Sequence, residues 1–478
     1  MTASGLTDRG LFLAGKWVHT PETVTVRSPY DGRPLGSAAA ARAADVLAAV
    51  DAAQTAMATP LPAHERAAVL DRTSAALTAR FEEFAQTLCA EAAKPIKSAR
   101  AEVARAASTF RHAAAETLRL AGEVVPMDAS PTGVGHLGFT VRRPVGVVGA
   151  ISPFNFPLNL TAHKLAPALG AGCAVVLKPA SQTPFSALLL AEVMAGAGLP
   201  DGMLSVLTGP AATIGDALVD DPRVKALSFT GSSAVGWHLR ERAPRKKVLL
   251  ELGNATPAIV LADADLPDAA ERLASNAFSF AGQSCISVQR VYVESAVADE
   301  FLSYFLRRVD QLVVGDPASE STDVGPVISS SNRERILRWI NTSGGTIAAG
   351  GTVTDDGIIR PTVIVEPQRD ADVCRREIFG PVCLVSRVAD LDDAIAQAND
   401  SDYGLQAGVF TTDINRALDA AARLEYGGIL VNEAPTFRVD QMPYGGIKES
   451  GNTREGPHYT IRELSEEHLV VVNLKANN

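Results

Sequence analysis

Residues 145–194, VGVVGAISPFNFPLNLTAHKLAPALGAGCAVVLKPASQTPFSALLLAEVM, decide the fold class of this chain. Two runs rich in β-branched residues, Val145–Ile151 and Ala174–Leu177, are typical of strands, and Ala187–Met194 is typical of a helix. Strands that alternate with helices at this spacing indicate a parallel sheet covered on both faces. We therefore expect an α/β fold.

The sequence on either side extends this pattern. Residues 38–124 are rich in Ala, Arg, Glu and Leu, with apolar clusters at helical spacing, and predict a block of amphipathic helices. The alternation of strands and helices returns from 256 to about 385 and again at Gly428–Asn432, so we expect a second α/β unit. Residues His468–Lys475 predict an exposed terminal strand with no obvious partner nearby in the sequence.

Composition and charge limit the partners of the protein. Its 478 residues are 46% hydrophobic and 21% charged, which is typical of a folded chain. A formal net charge of -10 would repel phosphate backbones and anionic membranes, so we expect neither nucleic acid nor a membrane as partner. We find no signal-peptide pattern and no run of 18 uncharged apolar residues.

The cysteines and histidines indicate a reducing compartment and no metal. The five cysteines are an odd number without a C-x-x-C pair, and the eight histidines are scattered singly. This pattern favours neither a disulfide framework nor structural zinc. We therefore expect a cytoplasmic protein.

Three residues are candidates for covalent chemistry. Cys285 comes three residues after Gly282 and lies among small and polar residues, as expected of a reactive thiol. The alternative is a structural cysteine, since cysteines more often fill hydrophobic cores. Glu251 ends an apolar strand, where burial would raise its pKa above about 4.3 and favour proton acceptance from water; the alternative is a solvent-facing glutamate. Asn155, held between aromatic and proline residues, could donate its amide to an oxyanion or close an Asx turn.

Three further segments could bind a ligand. The run Val224–Thr230 breaks at Gly231 before a predicted helix, whose free N–H groups could hold a phosphate, or it is a routine turn outside the known phosphate motifs. Lys178 ends an apolar strand and reaches either an anion or solvent. The segment Arg376–Pro381 would by itself pass as a loop.

Taken together and in this order, these motifs resemble the aldehyde dehydrogenase superfamily. The matching segments are Ser152–Pro184, Phe229–Ser232, Glu251–Gly253, Gly282–Cys285, Glu377–Pro381 and Pro443–Gly451. The resemblance implies a Rossmann-like cofactor domain, an α/β catalytic domain and a small β oligomerisation element. The terminal strand would then pair with another subunit of a homodimer or homotetramer.

The resemblance also implies domain boundaries. The cofactor-binding domain would comprise residues 1–122 and 145–252, and the catalytic domain residues 253–458. The oligomerisation element would bridge them with residues 123–144 and 459–478.

The reaction that the resemblance implies is oxidation of an aldehyde to the carboxylic acid. Cys285 would attack the carbonyl carbon, while the Asn155 amide and the Cys285 backbone N–H hold the oxyanion. The thiohemiacetal would pass its hydride to NAD or NADP, and water activated by Glu251 would cleave the thioester.

Cofactor residues follow from the same resemblance. No metal is expected. Lys178 and Glu377 are expected to bind the ribose hydroxyls of the dinucleotide, Phe379 the nicotinamide, and Gly231 with Ser232 the pyrophosphate. Further residues expected to bind the dinucleotide are Ser152, Pro153 and Ser181. Two positions depart from the family pattern. NAD-using relatives often carry a glutamate at Ser181, and its absence removes a charge that would repel a 2′-phosphate, so we predict use of NADP. Phe154 replaces the usual Trp and should alter the substrate pocket only mildly.

Two arginines predict a negatively charged substrate. The segments Glu102–Arg105 and Thr436–Asp440 are similar to the branch acting on lactaldehyde, glyceraldehyde-3-phosphate and phosphonoacetaldehyde. Arg105 and Arg438 would recognise an anion through forked hydrogen bonds, or serve as a solvated helix residue and a loop anchor. Phe156 and Phe437 complete the expected substrate residues, and the expected substrate is a small aldehyde, anionic or hydroxylated.

Three other functions are weighed against this one. A CoA-acylating aldehyde dehydrogenase usually lacks an acid at the Glu251 position. A cysteine acyltransferase or hydrolase needs a base beside the thiol, and no histidine accompanies Cys285 in the sequence. A catalytically silent homologue would not be expected to retain Cys285, Glu251 and Asn155 together.

Overall fold

The computed structural model describes residues 8–474. Residues 1–7, which hold most of the segment searched for a signal peptide, lie outside the described residues. So do residues 475–478, which end the predicted terminal strand and the expected oligomerisation element. Within the described range, no helix combines the length and the apolar character needed to cross a membrane.

The strands are, in chain order, β1 (Leu11–Leu13), β2 (Lys16–Val18), β3 (Thr23–Arg27), β4 (Pro34–Ala39), β5 (Val124–Val125), β6 (His136–Pro144), β7 (Val147–Ile151), β8 (Val175–Lys178), β9 (Leu204–Val206), β10 (Val224–Thr230), β11 (Lys247–Glu251), β12 (Pro257–Val260), β13 (Arg290–Glu294), β14 (Thr346–Ala349), β15 (Thr362–Val365), β16 (Val382–Val388), β17 (Tyr403–Gly404), β18 (Gln406–Phe410), β19 (Gly428–Val431), β20 (Ile447–Lys448) and β21 (Ser465–Asn473).

The helices are α1 (Ala43–Met57), α2 (Ala63–Ala79), α3 (Phe81–Ala92), α4 (Ile96–Arg119), α5 (Asn159–Ala171), α6 (Phe185–Gly196), α7 (Ala211–Asp220), α8 (Ser233–Arg242), α9 (Leu266–Phe278), α10 (Ala298–Asp310), α11 (Ser330–Asn341), α12 (Asp372–Arg375), α13 (Leu391–Asn399), α14 (Ile414–Arg423) and α15 (Pro457–Glu463). Short three-ten turns occur at Met127–Ala129, Pro131–Gly133 and Ser279–Gly282.

The first sheet has seven strands in the order β11-β10-β7-β8-β9-β1-β2. The five strands from β11 to β9 are parallel, and β1 and β2 add an antiparallel edge. Every residue of helix α5 is buried, so its apolar side chains pack on all sides and its polar ones, such as Lys164, need partners inside the protein. These features confirm the α/β fold expected from residues 145–194.

The second sheet also has seven strands, in the order β14-β15-β16-β13-β12-β18-β19. All neighbouring pairs are parallel except β14 and β15. Helices α9 and α10 pack against the sheet and supply the buried Phe278, Phe301 and Phe305 to its core. The second α/β unit expected from the sequence is therefore present.

The terminal strand β21 has a partner in its own chain. It pairs antiparallel with β6, from Ser465 opposite Pro144 to Asn473 opposite His136, in a sheet of order β21-β6-β5. The strand thus has a partner that local patterns did not reveal, because β6 lies far away in the sequence, and pairing of the free edge of β21 with another subunit stays a prediction. Strand β21 is at the edge of this sheet and exposes Leu469.

The two large sheets meet where the candidate residues lie. Strands β7, β8, β10 and β11 end at the same carboxyl edge of the first sheet, the usual ligand-binding edge of parallel sheets. Cys285 precedes β13, and Glu377 precedes β16, so both approach from the amino edge of the second sheet. A hydrogen bond of 2.9 Å from Asn155 Nδ2 to the Gln283 carbonyl joins the two edges.

Candidate active site

The segment before Cys285 is held in a strained conformation. Phe280 and Ala281 have φ angles of 49° and 53°, in the left-handed region that costs such residues about 1–3 kcal/mol each. Gly282 also has a positive φ, and a Cβ there would lie 2.1 Å from the Gly380 carbonyl oxygen. Only glycine fits this close approach, which fixes the turn that presents Cys285.

The Cys285 thiol is partly exposed and has one polar neighbour. Its Sγ lies 3.0 Å from the Tyr444 hydroxyl oxygen. The pKa of the thiol is raised to about 12, mainly by burial; the hydrogen bond from Tyr444 opposes this rise, and the charges of Glu377 and Glu251 add to it. The thiol is therefore neutral at pH 7, and nucleophilic attack by the sulfur requires a base to remove its proton.

Glu251 ends strand β11 in the interior, so it is not the solvent-facing glutamate of the alternative interpretation. It is 4% exposed, and neither carboxyl oxygen has a hydrogen-bond partner among the described residues. Burial, together with the negative charge of Glu455, holds its pKa well above the ordinary value. A buried carboxyl group without partners is suited to exchanging protons with water or a thiol.

Glu455 is a second buried carboxyl group, with the opposite behaviour. Its Oε2 accepts a hydrogen bond of 3.0 Å from Arg438, and its Oε1 lies 3.6 Å from the Lys164 ammonium. Burial alone would raise its pKa, but these two cations lower it to about 2. Glu455 therefore stays ionised and acts on Glu251 as a fixed negative charge.

Sequence reasoning did not find Lys164, Tyr444 or Glu455. Lys164 lies in the fully buried helix α5, and its ammonium donates to Thr230 Oγ1 at 2.7 Å. A lysine in so apolar a helix was a signal that could have been noticed, because buried lysines are almost always paired. Nothing near Glu455 in the sequence indicated its partners.

Asn155 is fixed across the site and does not close a local Asx turn. It is 3% exposed and donates one amide hydrogen to the Gln283 carbonyl, in the segment that carries Cys285. Since an asparagine amide has two N–H groups, the second stays available to an oxyanion. The Gln283 side chain in turn accepts from the Ile328 N–H at 2.8 Å, which holds this segment in place.

The start of helix α8 could hold a pyrophosphate. Ser232 is its N-cap residue, is exposed, and caps none of the first N–H groups with its side chain. A Cβ at Gly231 would lie 2.6 Å from the Phe229 ring, so the turn requires a glycine. The uncapped N–H groups and the open backbone fit an anionic group at this helix start.

Lys178 and Ser181 lie next to each other at the end of strand β8. The Lys178 ammonium is buried, donates to the Pro179 carbonyl at 2.9 Å and lies 3.5 Å from Ser181 Oγ. Burial lowers its pKa to about 8. Ser181 donates to the Gly209 carbonyl. The lysine therefore does not extend into solvent, and its charge has no described carboxylate beside it.

Glu377 and Phe379 occupy a loop that faces the first sheet. Burial raises the pKa of Glu377 to about 7, and its carboxylate accepts a hydrogen bond of 3.1 Å from the Asn254 N–H. Phe379 has a φ of 50° and packs edge-on against Phe154, with the ring centroids 5.7 Å apart. Phe379 thus packs against the segment that follows strand β7, and Glu377 against the segment that follows strand β11.

These observations fit a dinucleotide between the two sheets. An uncapped helix start, a lysine without a carboxylate partner and an inward carboxyl group are the donors and acceptors that pyrophosphate and ribose need. Ser152 and Pro153, which follow β7, lie between these groups and Asn155 in the chain. Over residues 8–474, no three His, Cys, Asp or Glu side chains come together in a way that could hold a metal ion.

Arg105 and Arg438 come together around Asp440 and His163. Arg105 donates to Asp440 Oδ1 at 3.0 Å, and Arg438 Nη2 lies 3.4 Å from His163 Nε2. Arg438 is 5% exposed and paired with Glu455, as expected of a loop anchor. Yet the Nε–H of each arginine is buried without an acceptor among the described residues, so each keeps one donor for an anion.

The two phenylalanines predicted to bind substrate differ in their surroundings. Phe156 packs against Phe280, with the ring centroids 6.2 Å apart, and its face lies 3.7 Å from the buried Lys94 ammonium. Lys94 forms an ion pair with Glu102, whose carboxylate also accepts from the first N–H groups of α5. Phe437 is 47% exposed.

Comparison with known proteins identifies relatives along nearly the whole chain. The family model described as "Aldehyde dehydrogenase family" matches residues 17–470, which include every site residue described above. The 3-sulfolactaldehyde dehydrogenase of Priestia aryabhattai is 45% identical over 468 residues, covering 97% of this chain and 98% of that protein.

Two solved structures are similar over their full length. Aldehyde dehydrogenase 21 from Physcomitrella patens, in complex with the reaction product succinate, has a TM-score of 0.95 and 41% identity, covering 99% of both chains. The NADP-dependent glyceraldehyde-3-phosphate dehydrogenase of Bacillus halodurans, complexed with NADP, has a TM-score of 0.95 and 37% identity, covering 98% of this chain and 99% of that one.

Proposed function

Because the chain belongs to the aldehyde dehydrogenase family, we propose that its substrate is a short aldehyde with an acidic group at the far end. The reaction is oxidation of the aldehyde to the carboxylic acid with NAD or NADP as hydride acceptor. One observation supports this function most directly. The Cys285 thiol, the fixed Asn155 amide and the Glu251 carboxyl group, which has no hydrogen-bond partner among the described residues, lie where the two large sheets meet.

The first step assigned to this chain's residues is attack by Cys285 on the carbonyl carbon. A thiol with a pKa near 12 is a weak nucleophile, so it needs a base. Glu251 is available as that base, because its carboxyl oxygens have no described partner and its pKa is raised. The free N–H of Asn155 and the backbone N–H of Cys285 receive the oxyanion.

The dinucleotide, when bound, accepts the hydride from the substrate carbon. Lys178 and Glu377 are assigned to its ribose hydroxyls, and Gly231 and Ser232 at the start of α8 to its pyrophosphate. Ser152, Pro153 and Phe379 would border the nicotinamide end of the dinucleotide and would help to exclude water from the reacting carbon. We assign NADP use to Ser181, because a hydroxyl beside Lys178 accommodates a 2′-phosphate that a carboxylate would repel.

The last chemical step is hydrolysis of the thioester on Cys285. Glu251 first releases the proton taken from Cys285 to solvent and then takes a proton from water; the resulting hydroxide attacks the acyl carbon, and the C–S bond breaks with its electron pair on sulfur. The negative charge of Glu455 raises the proton affinity of Glu251, which favours this transfer near neutral pH. An acid at this position also argues against a CoA-acylating enzyme, in which a thiol would take the place of water.

The acidic group of the substrate is assigned to Arg105 and Arg438, with Phe156 and Phe437 beside the aldehyde chain. The support is the pair of buried Nε–H groups that have no acceptor among the described residues. Three relatives are named for sulfolactaldehyde, for a succinate product and for glyceraldehyde-3-phosphate, and each of these molecules carries an acidic group. Sulfonate, carboxylate and phosphate groups each present at least two oxygens that a guanidinium group can bind through paired hydrogen bonds.

A panel of aldehydes tests this assignment. We expect kcat/KM for 3-sulfolactaldehyde, succinate semialdehyde or glyceraldehyde-3-phosphate to exceed that for propanal by at least about tenfold with either dinucleotide. Arg105→Ala should remove most of this preference. Arg111→Ala is the matched control, because Arg111 is an exposed residue of the same helix α4. Equal loss for propanal and the anionic aldehydes would refute the assignment.

Three finer statements are also proposed. We divide the chain into a cofactor domain (1–122 and 145–252), a catalytic domain (253–458) and a bridging element (123–144 and 459–478), since β6 and β21 form their own sheet.

We propose a homodimer or homotetramer, because edge strand β21 exposes apolar side chains, and light scattering of the purified protein tests it. A cytoplasmic location is supported by five unpaired cysteines.

A further inference from the structure

Tyr444 is the polar residue in contact with the sulfur of Cys285. Its hydroxyl oxygen lies 3.0 Å from Sγ, and the residue is 2% exposed. Ile286 and Leu405 pack against both side chains, so the tyrosine side of this contact is shielded from water although the sulfur is partly exposed. A hydrogen bond in such surroundings is stronger than one in water.

Two contacts fix the Tyr444 ring. The Arg438 guanidinium lies over one face of the ring, with its central carbon 3.7 Å from the ring centroid. The backbone of Tyr444 forms a two-way bridge with Glu455, the carboxylate that also pairs with Arg438. Arg438 and Glu455 therefore hold the hydroxyl at the sulfur and act as positioning residues.

The following residue brings the same segment against Glu251. A Cβ built on Gly445 would lie 2.9 Å from Glu251 Oε1 and 2.0 Å from the Thr453 carbonyl oxygen. Only a glycine allows the chain to pass this close to the carboxyl group. Tyr444 thus lies beside Cys285 and Gly445 beside Glu251, the two residues whose protonation changes during the reaction.

The hydroxyl is the donor in this contact whenever the sulfur is negative, because a thiolate can only accept. Burial, together with the nearby Cys285, Arg438 and Glu251, leaves the pKa of Tyr444 well above 10, so it keeps its proton at neutral pH. The charged or titratable groups that act on the sulfur are Tyr444, Glu377, Glu251 and Arg438. The two glutamates disfavour a negative sulfur, whereas Tyr444 and Arg438 favour it.

We propose that Tyr444 is a catalytic residue that donates a hydrogen bond to the Cys285 sulfur whenever that sulfur is negative. This occurs first after the thiol has lost its proton and before the C–S bond forms. It occurs again in thioester hydrolysis, when the C–S bond breaks and its electron pair stays on sulfur. Tyr444 keeps its own proton in both steps, since the proton from water goes to Glu251. The proposal rests on the function proposed above.

The test is the pH dependence of Cys285 alkylation by iodoacetamide in the dinucleotide-free protein. Tyr444→Phe removes only the hydroxyl, and we expect the midpoint of the alkylation profile to move up by about one to two pH units. The kcat/KM for the aldehyde should fall by about 10- to 100-fold. Protein with Cys285→Ser gives the background from the other cysteines.

Tyr426→Phe is the matched control. Tyr426 is also a buried tyrosine, and its hydroxyl accepts from Arg290 and donates to the Ala398 carbonyl outside the site. Its loss should lower the melting temperature and leave the alkylation midpoint at the wild-type value. If Tyr444→Phe moves the midpoint no more than Tyr426→Phe does, the proposal is overturned.

A second variant covers the case in which Tyr444→Phe folds poorly. Tyr444→3-fluorotyrosine keeps the hydroxyl and makes it a stronger donor, so the midpoint should fall below that of the wild type. An unchanged or raised midpoint would contradict the proposal. These outcomes differ from failure of the proposed function, in which Cys285→Ser would still reduce the dinucleotide at the wild-type rate.

Discussion

Two regions of the site are built on different principles. At the carboxyl edge of the first sheet, residues such as Lys178 and Glu251 follow directly from where parallel strands end. The loop 436–456 has only the two-residue strand β20 as regular structure, and its side chains are held by charged partners within the loop and in distant segments. The clearest contrast is between Glu251 and Glu455, which are both buried carboxyl groups with opposite pKa shifts.

This contrast shows that partners, more than burial, decide the charge state of a carboxyl group. Burial acts on both glutamates in the same direction. Only Glu455 has two cations within ion-pair distance, and these outweigh its burial. The enzyme can thus keep one carboxylate permanently ionised while its neighbour exchanges protons.

The largest expected effect comes from removing the proton acceptor. Glu251→Gln keeps the size of the side chain, and we expect kcat to fall by about 10²- to 10⁴-fold, because water is no longer activated. The fold should stay intact, since neither carboxyl oxygen has a described partner to lose. Rapid-mixing kinetics should show that formation of reduced dinucleotide is slow already in the first turnover, because Glu251 also removes the thiol proton before attack. A variant with wild-type kcat would exclude Glu251 as the base.

Glu455→Gln should instead affect stability. Removing this charge leaves Lys164 and Arg438 buried without their carboxylate, a change that costs about 3–5 kcal/mol. Chemical denaturation gives the free energy of unfolding. Glu192→Gln is the control, because Glu192 pairs with Arg9 and Arg80 at a site 37% exposed, where ion pairs contribute about 0–1 kcal/mol. If the two variants lost equal free energy of unfolding, the buried ion pairs of Glu455 would contribute no more to stability than the exposed ones of Glu192.

The sequence predicted the strand-edge region better than the loop region, for a physical reason. Asn155, Lys178 and Glu251 each adjoin a strand whose pattern is local, so their meeting at one edge follows from the parallel sheet. Tyr444 and Lys164 meet their partners only through tertiary packing between segments far apart in the chain. Local patterns carry no information on such contacts.

The terminal strand illustrates the same limit. Its sequence predicted a strand correctly, because β-propensity and alternation are local properties. Its partner β6 lies in a different part of the chain, and the sequence alone left the strand without one. The raised pKa of Glu251 was expected from burial at a strand end, whereas the lowered pKa of Glu455 was beyond prediction, since it depends on which charges the fold brings together.

Ser181→Glu tests the strand-edge region. A carboxylate beside Lys178 would repel a 2′-phosphate, and we expect the KM for NADP to rise by about 10- to 100-fold while the KM for NAD stays within a few-fold. Steady-state kinetics with each dinucleotide measure the change. Ser181→Ala is the control, because it removes the hydroxyl without adding charge. Wild-type protein without any turnover of NADP would refute the assignment of Ser181.

The smallest expected effect is the pH dependence of stability, which separates the two carboxyl groups again. The folded-state pKa of Glu251 is raised, so the wild type should lose stability relative to Glu251→Gln as pH rises above about 4.3, by at most about 1.4 kcal/mol per pH unit. The folded-state pKa of Glu455 is lowered to about 2, so its stabilising contribution is complete above about 4.3 and is lost as pH falls toward 2. Between pH 5 and 8, the melting temperature of the wild type should therefore fall relative to that of Glu251→Gln.

The difference in melting temperature between wild type and Glu455→Gln should stay constant over the same range. If both differences varied with pH in the same way, burial and not the pairing with Lys164 and Arg438 would control both groups.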